Sequence, residues 1–309
     1  MAVQPTQVDP RSLNATGAAA AGMAARAGAG RETASRLAIR VLFFVLLAAI
    51  TVLFLYPFVW LVLASFKTSA QVFDGNLLPT TWHPENYERL VREQPVVNWA
   101  WNSLIVSFLA AVTVTLSSAL VAFAFAYFRF PGRGPLFAVV LAGLLLPGAV
   151  TMIPNYLIWD ALGFTNTLVP LWAGNLFASP FYIFLLRQFF LGLPRDLWDA
   201  AKTDGANPLR MWWSIAVPLT APALIVVFVF ELKAAWTDVV RPLIFLRDID
   251  LYTLPRGLLA IINNPSIGGE KHWELLAAAG VIVTIPMLIV FFLGQRYFIE
   301  GIATTGSKG

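Results

Sequence analysis

The chain contains no cysteine and only two histidines, His83 and His272, among its 309 residues. The first absence excludes disulfides, thiolate nucleophiles and cysteine-held metals. The second leaves no cluster of imidazoles from which to build a metal centre. Charge is scarce too, at 12% of residues against 58% hydrophobic ones, and the mean hydropathy is +0.72. A soluble domain could not cover so much apolar surface, so the composition requires membrane lipid as solvent and several crossings of it. No G-x-x-x-x-G-K-[ST] pattern occurs. The terminal TTGSKG lacks the first glycine at the required distance and any helix to follow, so no phosphate loop is expected. A net charge of +4 with pI near 9.5 would suggest nucleic acid in a soluble chain. In a membrane protein it reflects basic loops on one side, and no nucleic-acid partner is expected.

What the sequence has instead is six charge-free apolar segments, each able to form the roughly 20-residue helix that crosses a bilayer. They run from Val41 to Phe66, Ser103 to Phe128, Leu136 to Trp159, Ala161 to Leu186, Met211 to Phe230 and Leu275 to Gln295. The fold class is therefore an all-α membrane protein with six transmembrane helices. Gly143, Pro147, Pro180 and Pro286 fall inside these segments and predict kinks, since neighbouring helices can satisfy the backbone groups a proline frees. The first segment is far longer than the roughly 7 to 15 residue core of a signal peptide and reads as a retained anchor. Residues 1–36, rich in Ala, Gly and Thr, lack apolar periodicity and read as a disordered tail without a lipidation motif.

Loop charge sets the orientation. Arg11, Arg26, Arg31, Arg36 and Arg40 precede the first span, Arg129 and Arg133 follow the second, and Arg187, Arg195, Lys202 and Arg210 follow the fourth. If the spans alternate, all three groups lie on one side. The long loops Lys67 to Asn102 and Thr237 to Glu274 lie on the other and mix both signs. The positive-inside rule then places both termini and the loop after the fourth span in the cytoplasm of a cell-membrane protein.

That last loop, DAAKTDGANPLRMWWSIAVP from Asp199 to Pro218, has demanding spacing. Pro194 suits the first turn of a short helix that runs to about Ala206, with Gly205 ending it. Asn207 is a good N-cap and Pro208 a good first helical residue, so a second helix starts at once. Ala200 and Ala201 leave a nearly bare backbone that another surface could approach, with Leu197 and Trp198 beside them as apolar anchors. On spacing alone, a docking element and an amphipathic helix resting on headgroups are both open.

Asp199, Ala200, Ala201, Gly205, Ile215 and Pro218 together resemble the EAA loop of the membrane subunits of binding-protein-dependent ABC importers, with Asp199 for the usual Glu and Val217 for the usual Leu. The resemblance extends from Leu37 to Gly309. PENYERL (84–90), NSL (102–104), AFAYFRFPGR (124–133), IPNYL (153–157), LLRQFF (185–190), WTDVVRPLIFL (236–246) and YTLPRGL (252–258) are similar, in order, to signatures of carbohydrate-uptake permeases. The ending QRYFIEGIATTGSKG resembles the tail of the smaller, MalG-like subunit of heterodimeric permeases.

The resemblance implies a type I ABC importer permease fold. The permease domain would occupy residues 37–298, with a coupling loop at 187–213 and a cytoplasmic C-terminal tail at 299–309. It implies a second permease subunit in a heterodimer, two ATPase subunits that carry ATP-Mg, and an external substrate-binding protein that delivers a sugar or oligosaccharide. No cofactor is implied on this chain, nor any catalytic residue, so it is a transport subunit and not an enzyme. Ser307 and Lys308 in the tail are candidate contacts to the ATPase pair.

In or at the ends of the spans, Glu231, Asn175 and Asn102 are candidates for the substrate path, because carboxylate and amide groups suit a hydroxyl-rich ligand, and Trp236 could border it. Polar residues also glue membrane helices, and tryptophan is at home in the aromatic belt, so both readings stay open. Glu231 and Lys233 point about 160 degrees apart on a helix and are not expected to pair, with Lys233 snorkelling toward the outer interface. An ion-coupled carrier of a small polar solute is the alternative, and only Glu231 resembles the relay it would need. A membrane-embedded enzyme ranks below that alternative, since there is no His cluster, intramembrane Asp pair or Ser/Lys pair to do chemistry.

Overall fold

The computed structural model describes residues 37, 39–263 and 271–306, with side chains through Gln295. The N-terminal arm 1–36 and the tail candidates Ser307 and Lys308 lie outside the described residues. The chain forms two compact units, residues 1–60 and 61–309. In the first, helix α1 starts at Ile39, and its apolar stretch is wholly unburied within the chain. As a whole α1 spans Ile39–Ala64 with a mean hydropathy of 2.6.

The second unit is helical throughout its described residues apart from turns. In order come α2 (Glu85–Glu93), α3 (Val96–Tyr127), α4 (Arg133–Leu145), α5 (Gly148–Ala161), α6 (Val169–Phe177), α7 (Pro180–Leu191), α8 (Arg195–Thr203), α9 (Pro208–Leu219), α10 (Ala221–Trp236), α11 (Val240–Phe245), α12 (Leu254–Asn263) and α13 (Trp273–Gly306). Helices α1, α3 and α13 are long and apolar enough to cross a membrane unaided. Three bent pairs bring the candidate spans to six: α4 with α5 at 101°, α6 with α7 at 41°, and α9 with α10 at 82°.

Helix α3 is the axis of the unit and packs against both α7 and α10. Its buried face carries Ser103, Ser107, Ala110, Ala111, Ser118, Ala119 and Ala122. In lipid the hydrophobic effect does not pull helices together, so association depends on close backbone approach, which small side chains permit. The serines satisfy themselves within the fold. Ser107 Oγ donates to Ser103 O at 2.6 Å, and Ser103 Oγ accepts from Leu254 N–H at 2.7 Å.

Several boundaries differ from the sequence expectation. Ala161 ends α5 and does not open the fourth span, which starts at Val169 after a turn. The break expected at Pro147 is there: with an extended ψ of 135° it separates α4 from α5, whose N-cap position it occupies. Pro180 likewise opens α7 after the break in the fourth span. Pro286, by contrast, sits inside a helix that continues past it to Gly306. That helix also carries the backbone through the expected boundary at 298. The 82° break before Ala221 falls between Pro218 and Pro222, two prolines that the sequence expectation did not read as a break.

Candidate functional site

Helix α8 owes its position to two residues that turn inward. Trp198 and Ala201 are buried at 8% and 7% exposure in the cluster that includes Phe123, Phe190 and Met211. The Trp198 ring meets Phe123 edge-on at 5.7 Å and Tyr127 at 5.6 Å. This corrects the expectation for Trp198, which anchors α8 to its own bundle and is not offered to a partner; Leu197 stays exposed. The outward face is left to Asp199 and Ala200, both exposed. Asp199 accepts from Lys202 Nζ at 3.0 Å, and that hydrogen bond holds the ammonium pKa above its usual value. Lys202 also lies over the Tyr127 ring.

The turn after α8 is a Schellman motif. Ala206 N–H reaches Ala201 O and Gly205 N–H reaches Lys202 O, each at 2.9 Å, so two carbonyls the helix end would orphan are satisfied. Gly205 adopts φ +73°, and nothing lies within 4 Å of where a Cβ would sit. Of the two reasons for a glycine here, left-handed backbone applies and close approach within the chain does not. Asn207 then caps α9, its Oδ1 accepting from Arg210 N–H at 2.8 Å. Helix α8 itself begins at Arg195, with Pro194 as its N-cap and not inside its first turn. Ile215 lies in a π-helical turn, Trp212–Ala216, within α9. Such turns widen a helix locally and often occur at functional sites. Ile215 packs on the same core, and Pro218 is exposed just before the 82° break.

The path candidates separate into two groups. Glu231 and Asn175 come together: Asn175 Nδ2 donates to Glu231 Oε1 at 2.7 Å and to Ala110 O at 3.1 Å. Tyr182, which the sequence reading missed, donates its hydroxyl to Glu231 Oε2 at 3.2 Å. The break between α6 and α7 is thereby tied to α10. Helix α3 ties it as well, since Ser117 Oγ donates to Asn175 O at 2.8 Å and Ser118 Oγ accepts from Ser179 N–H at 3.0 Å. Between these ties Ala178 is held at φ 65° and ψ 174°, a region that glycine occupies almost alone. The adjacent serines in mid-span and Ser179-Pro180 were the available signals. Lys233 is exposed and forms no pair with Glu231, as expected.

Trp236 and Asn102 do not join that group. Trp236 is 3% exposed, and its indole N–H donates to Val283 O at 3.1 Å. The ring fills the core between α10 and α13. Asn102 spends its amide on Asp250 O and Tyr252 O, at 2.8 and 3.1 Å. With Ser103 holding Leu254, the NSL segment is the clasp for the loop that carries YTLPRGL. Gly257, in α12 at the end of that segment, lies against the fully buried ring of Trp99, whose N–H donates to Ile249 O at 2.7 Å. PENYERL works similarly: Asn86 Nδ2 donates to Ser65 O at 3.0 Å and Lys67 O at 2.9 Å. Lys67 itself, buried at 1% exposure, donates to Gln71 O, Asp74 and Asn76 O.

Residues 17–304 match the family described as binding-protein-dependent transport system inner membrane component. The chain belongs to that family. It is 30% identical over 277 residues to the arabinooligosaccharides transport system permease protein AraQ of Bacillus subtilis, covering 87% of this chain and 94% of that protein. It is 32% identical over 221 residues to the maltose/maltodextrin transport system permease protein MalG of Escherichia coli K12, covering 70% and 73%. Its fold matches a chain in the crystal structure of a bacterial ABC transporter involved in import of the acidic polysaccharide alginate, with a TM-score of 0.74, 23% identity, and coverage of 84% of this chain and 95% of that one. The permease is a membrane transport component of the type I importer fold, and the ion-coupled carrier reading is set aside.

Proposed function

We propose that this permease imports a sugar or oligosaccharide in an ATP-driven complex, with the Asp199–Pro218 element as the docking point for a separate ATPase. The carrying observation is the division of labour on α8, where Trp198 and Ala201 lock the helix to α3 while Asp199 and Ala200 stay exposed. A push on that face passes through the core to α3 and, by way of the Asn207-capped α9, to α10. From α10 it reaches the Glu231, Asn175 and Tyr182 group at the break in the fourth span. Glu231 and Asn175 then border the path, and carboxylate oxygens with free lone pairs suit sugar hydroxyls.

In this reading the α8 side is cytoplasmic, the spans number six, and both termini are cytoplasmic. Residues 37–298 form the permease domain and 187–213 its coupling loop, while the tail 299–309, with Ser307 and Lys308, reaches the ATPase pair. The complex holds a second, different permease subunit, two ATPase subunits with ATP-Mg, and an external binding protein, the last supported by the family's description. The names of the oligosaccharide relatives support a carbohydrate substrate.

The test is uptake by the reconstituted complex with purified binding protein and its ligand. Uptake should require ATP and survive an ionophore. Uptake that persists without ATP but collapses with the ionophore would overturn the proposal.

A further inference from the structure

Where the docking helix meets the ends of α3 and α7 lies a groove of about 540 Å³, lined partly by α8 itself and by the rim of the core that seats it. Its floor is aromatic, formed by Phe123, Tyr127, Phe190 and Trp198. Its walls carry four cationic side chains, Arg129, Arg133, Arg195 and Lys202, against a single carboxylate, Asp199. That carboxylate is already engaged by Lys202 at 3.0 Å. Among the described residues, none of the three arginines has an ion-pair partner. Arg133 donates to Phe128 O at 3.1 Å, which fixes one edge of its guanidinium and leaves its charge uncompensated. Arg195 is the first residue of α8, where the positive end of the helix dipole disfavours a cation. Three guanidinium groups without ion-pair partners line one concavity, an arrangement that favours an anion there.

The groove's place in the fold narrows the anion's identity. It opens where the 32-residue apolar α3 ends at Tyr127 and where α7 ends at Leu191, the end that the proposed orientation turns toward the cytoplasmic headgroups. Guanidinium groups recognise phosphate bidentately, and the aromatic floor suits the glycerol and upper acyl region beneath a phosphate. Anionic lipids are concentrated in the cytoplasmic leaflet, and basic pockets between helices on that side bind their headgroups. We infer that this groove is a binding site for the headgroup of an anionic phospholipid, held by Arg129, Arg133 and Arg195 against the Trp198 face of the docking helix. The inference rests on the cytoplasmic placement of α8 proposed above. It goes further in making lipid charge a condition on how firmly α8 is seated.

The experiment uses the whole complex, purified in detergent and reconstituted in phosphatidylcholine vesicles with and without phosphatidylglycerol. The readouts are phosphatidylglycerol retained per complex, ATP-driven uptake, and ATPase subunits co-purified. The native complex should retain phosphatidylglycerol and import faster when it is present. Each Arg→Gln change should lower retention roughly fivefold, and the R129Q/R133Q pair about 25-fold, with loss of the lipid dependence of uptake. If that pair does not assemble, Arg195→Gln alone carries the test. Unchanged retention in the variants overturns the site. Equal competition by glycerol phosphate in detergent overturns the lipid as occupant, and ATPase loss from the variants in phosphatidylcholine assigns the groove to the partner instead. Because ATP-dependent uptake in phosphatidylcholine alone tests the docking proposal, the two can fail separately.

Discussion

A methyl group added at Gly257 would fall onto the buried indole of Trp99, whose own position is fixed by Ile249 O. Neither side can yield cheaply, so Gly257→Ala should cost about 1–3 kcal/mol through overpacking. A thermal melt of the purified complex checks this, and an unchanged midpoint would contradict the packing described. Ala178 offers the opposite case. Its backbone is held at φ 65° by Ser118 below and the Asn175 carbonyl beside it, in a conformation that costs on the order of 1–3 kcal/mol for any residue with a Cβ. Ala178→Gly should therefore stabilise the protein, and a lower melting point would refute the strain. Glu231→Ala leaves the Asn175 amide short of one acceptor and the Tyr182 hydroxyl without one, a loss of roughly 1–3 kcal/mol. It should lower stability and transport together. A variant that melts normally but transports poorly would make Glu231 a path residue alone.

At the scale of elements, the α8 turn and α9 cap make a compact case. Gly205→Val places a β-branched residue at φ +73°, where left-handed backbone costs about 1–2 kcal/mol and branching adds to it. Asn207→Ala removes one cap bond, worth about 1 kcal/mol. The Gly205 change should reduce ATPase co-purification and substrate-stimulated hydrolysis more than the Asn207 change. Unaltered values for Gly205→Val would sink the docking assignment. This element was legible because Gly205, Asn207 and Pro208 act through their own backbone and near neighbours. What was hidden is which face of α8 meets the bundle. A nine-residue helix with apolar residues at 197, 198, 200 and 201 can be rotated either way, and only the ends of α3 and α7 decide that Trp198 goes in. The sharp bends of the third and fifth spans were partly hidden for the same reason. Pro147 announced one; Pro218 and Pro222 flank the other, but prolines in a span do not by themselves say whether it kinks or breaks. Trp236 and Asn102 bond within the chain, and a polar or aromatic residue near a span end carries no sign of whether its partner is a ligand or a loop carbonyl. Tyr182 was missed because its hydroxyl partner lies 49 residues away.

For the whole molecule, composition alone required a membrane, and family membership places the chain among binding-protein-dependent transport components. The central claim is narrower: motion enters through the exposed face of α8. Because the chain has no cysteine, a single thiol introduced at the exposed Ala200 gives an unambiguous crosslinking probe. In the assembled complex, the Ala200→Cys variant should crosslink to an ATPase subunit, with a yield that changes between nucleotide-free and ATP-bound states. An intact, transport-competent complex in which that introduced thiol crosslinks to no ATPase subunit in any nucleotide state would contradict the account.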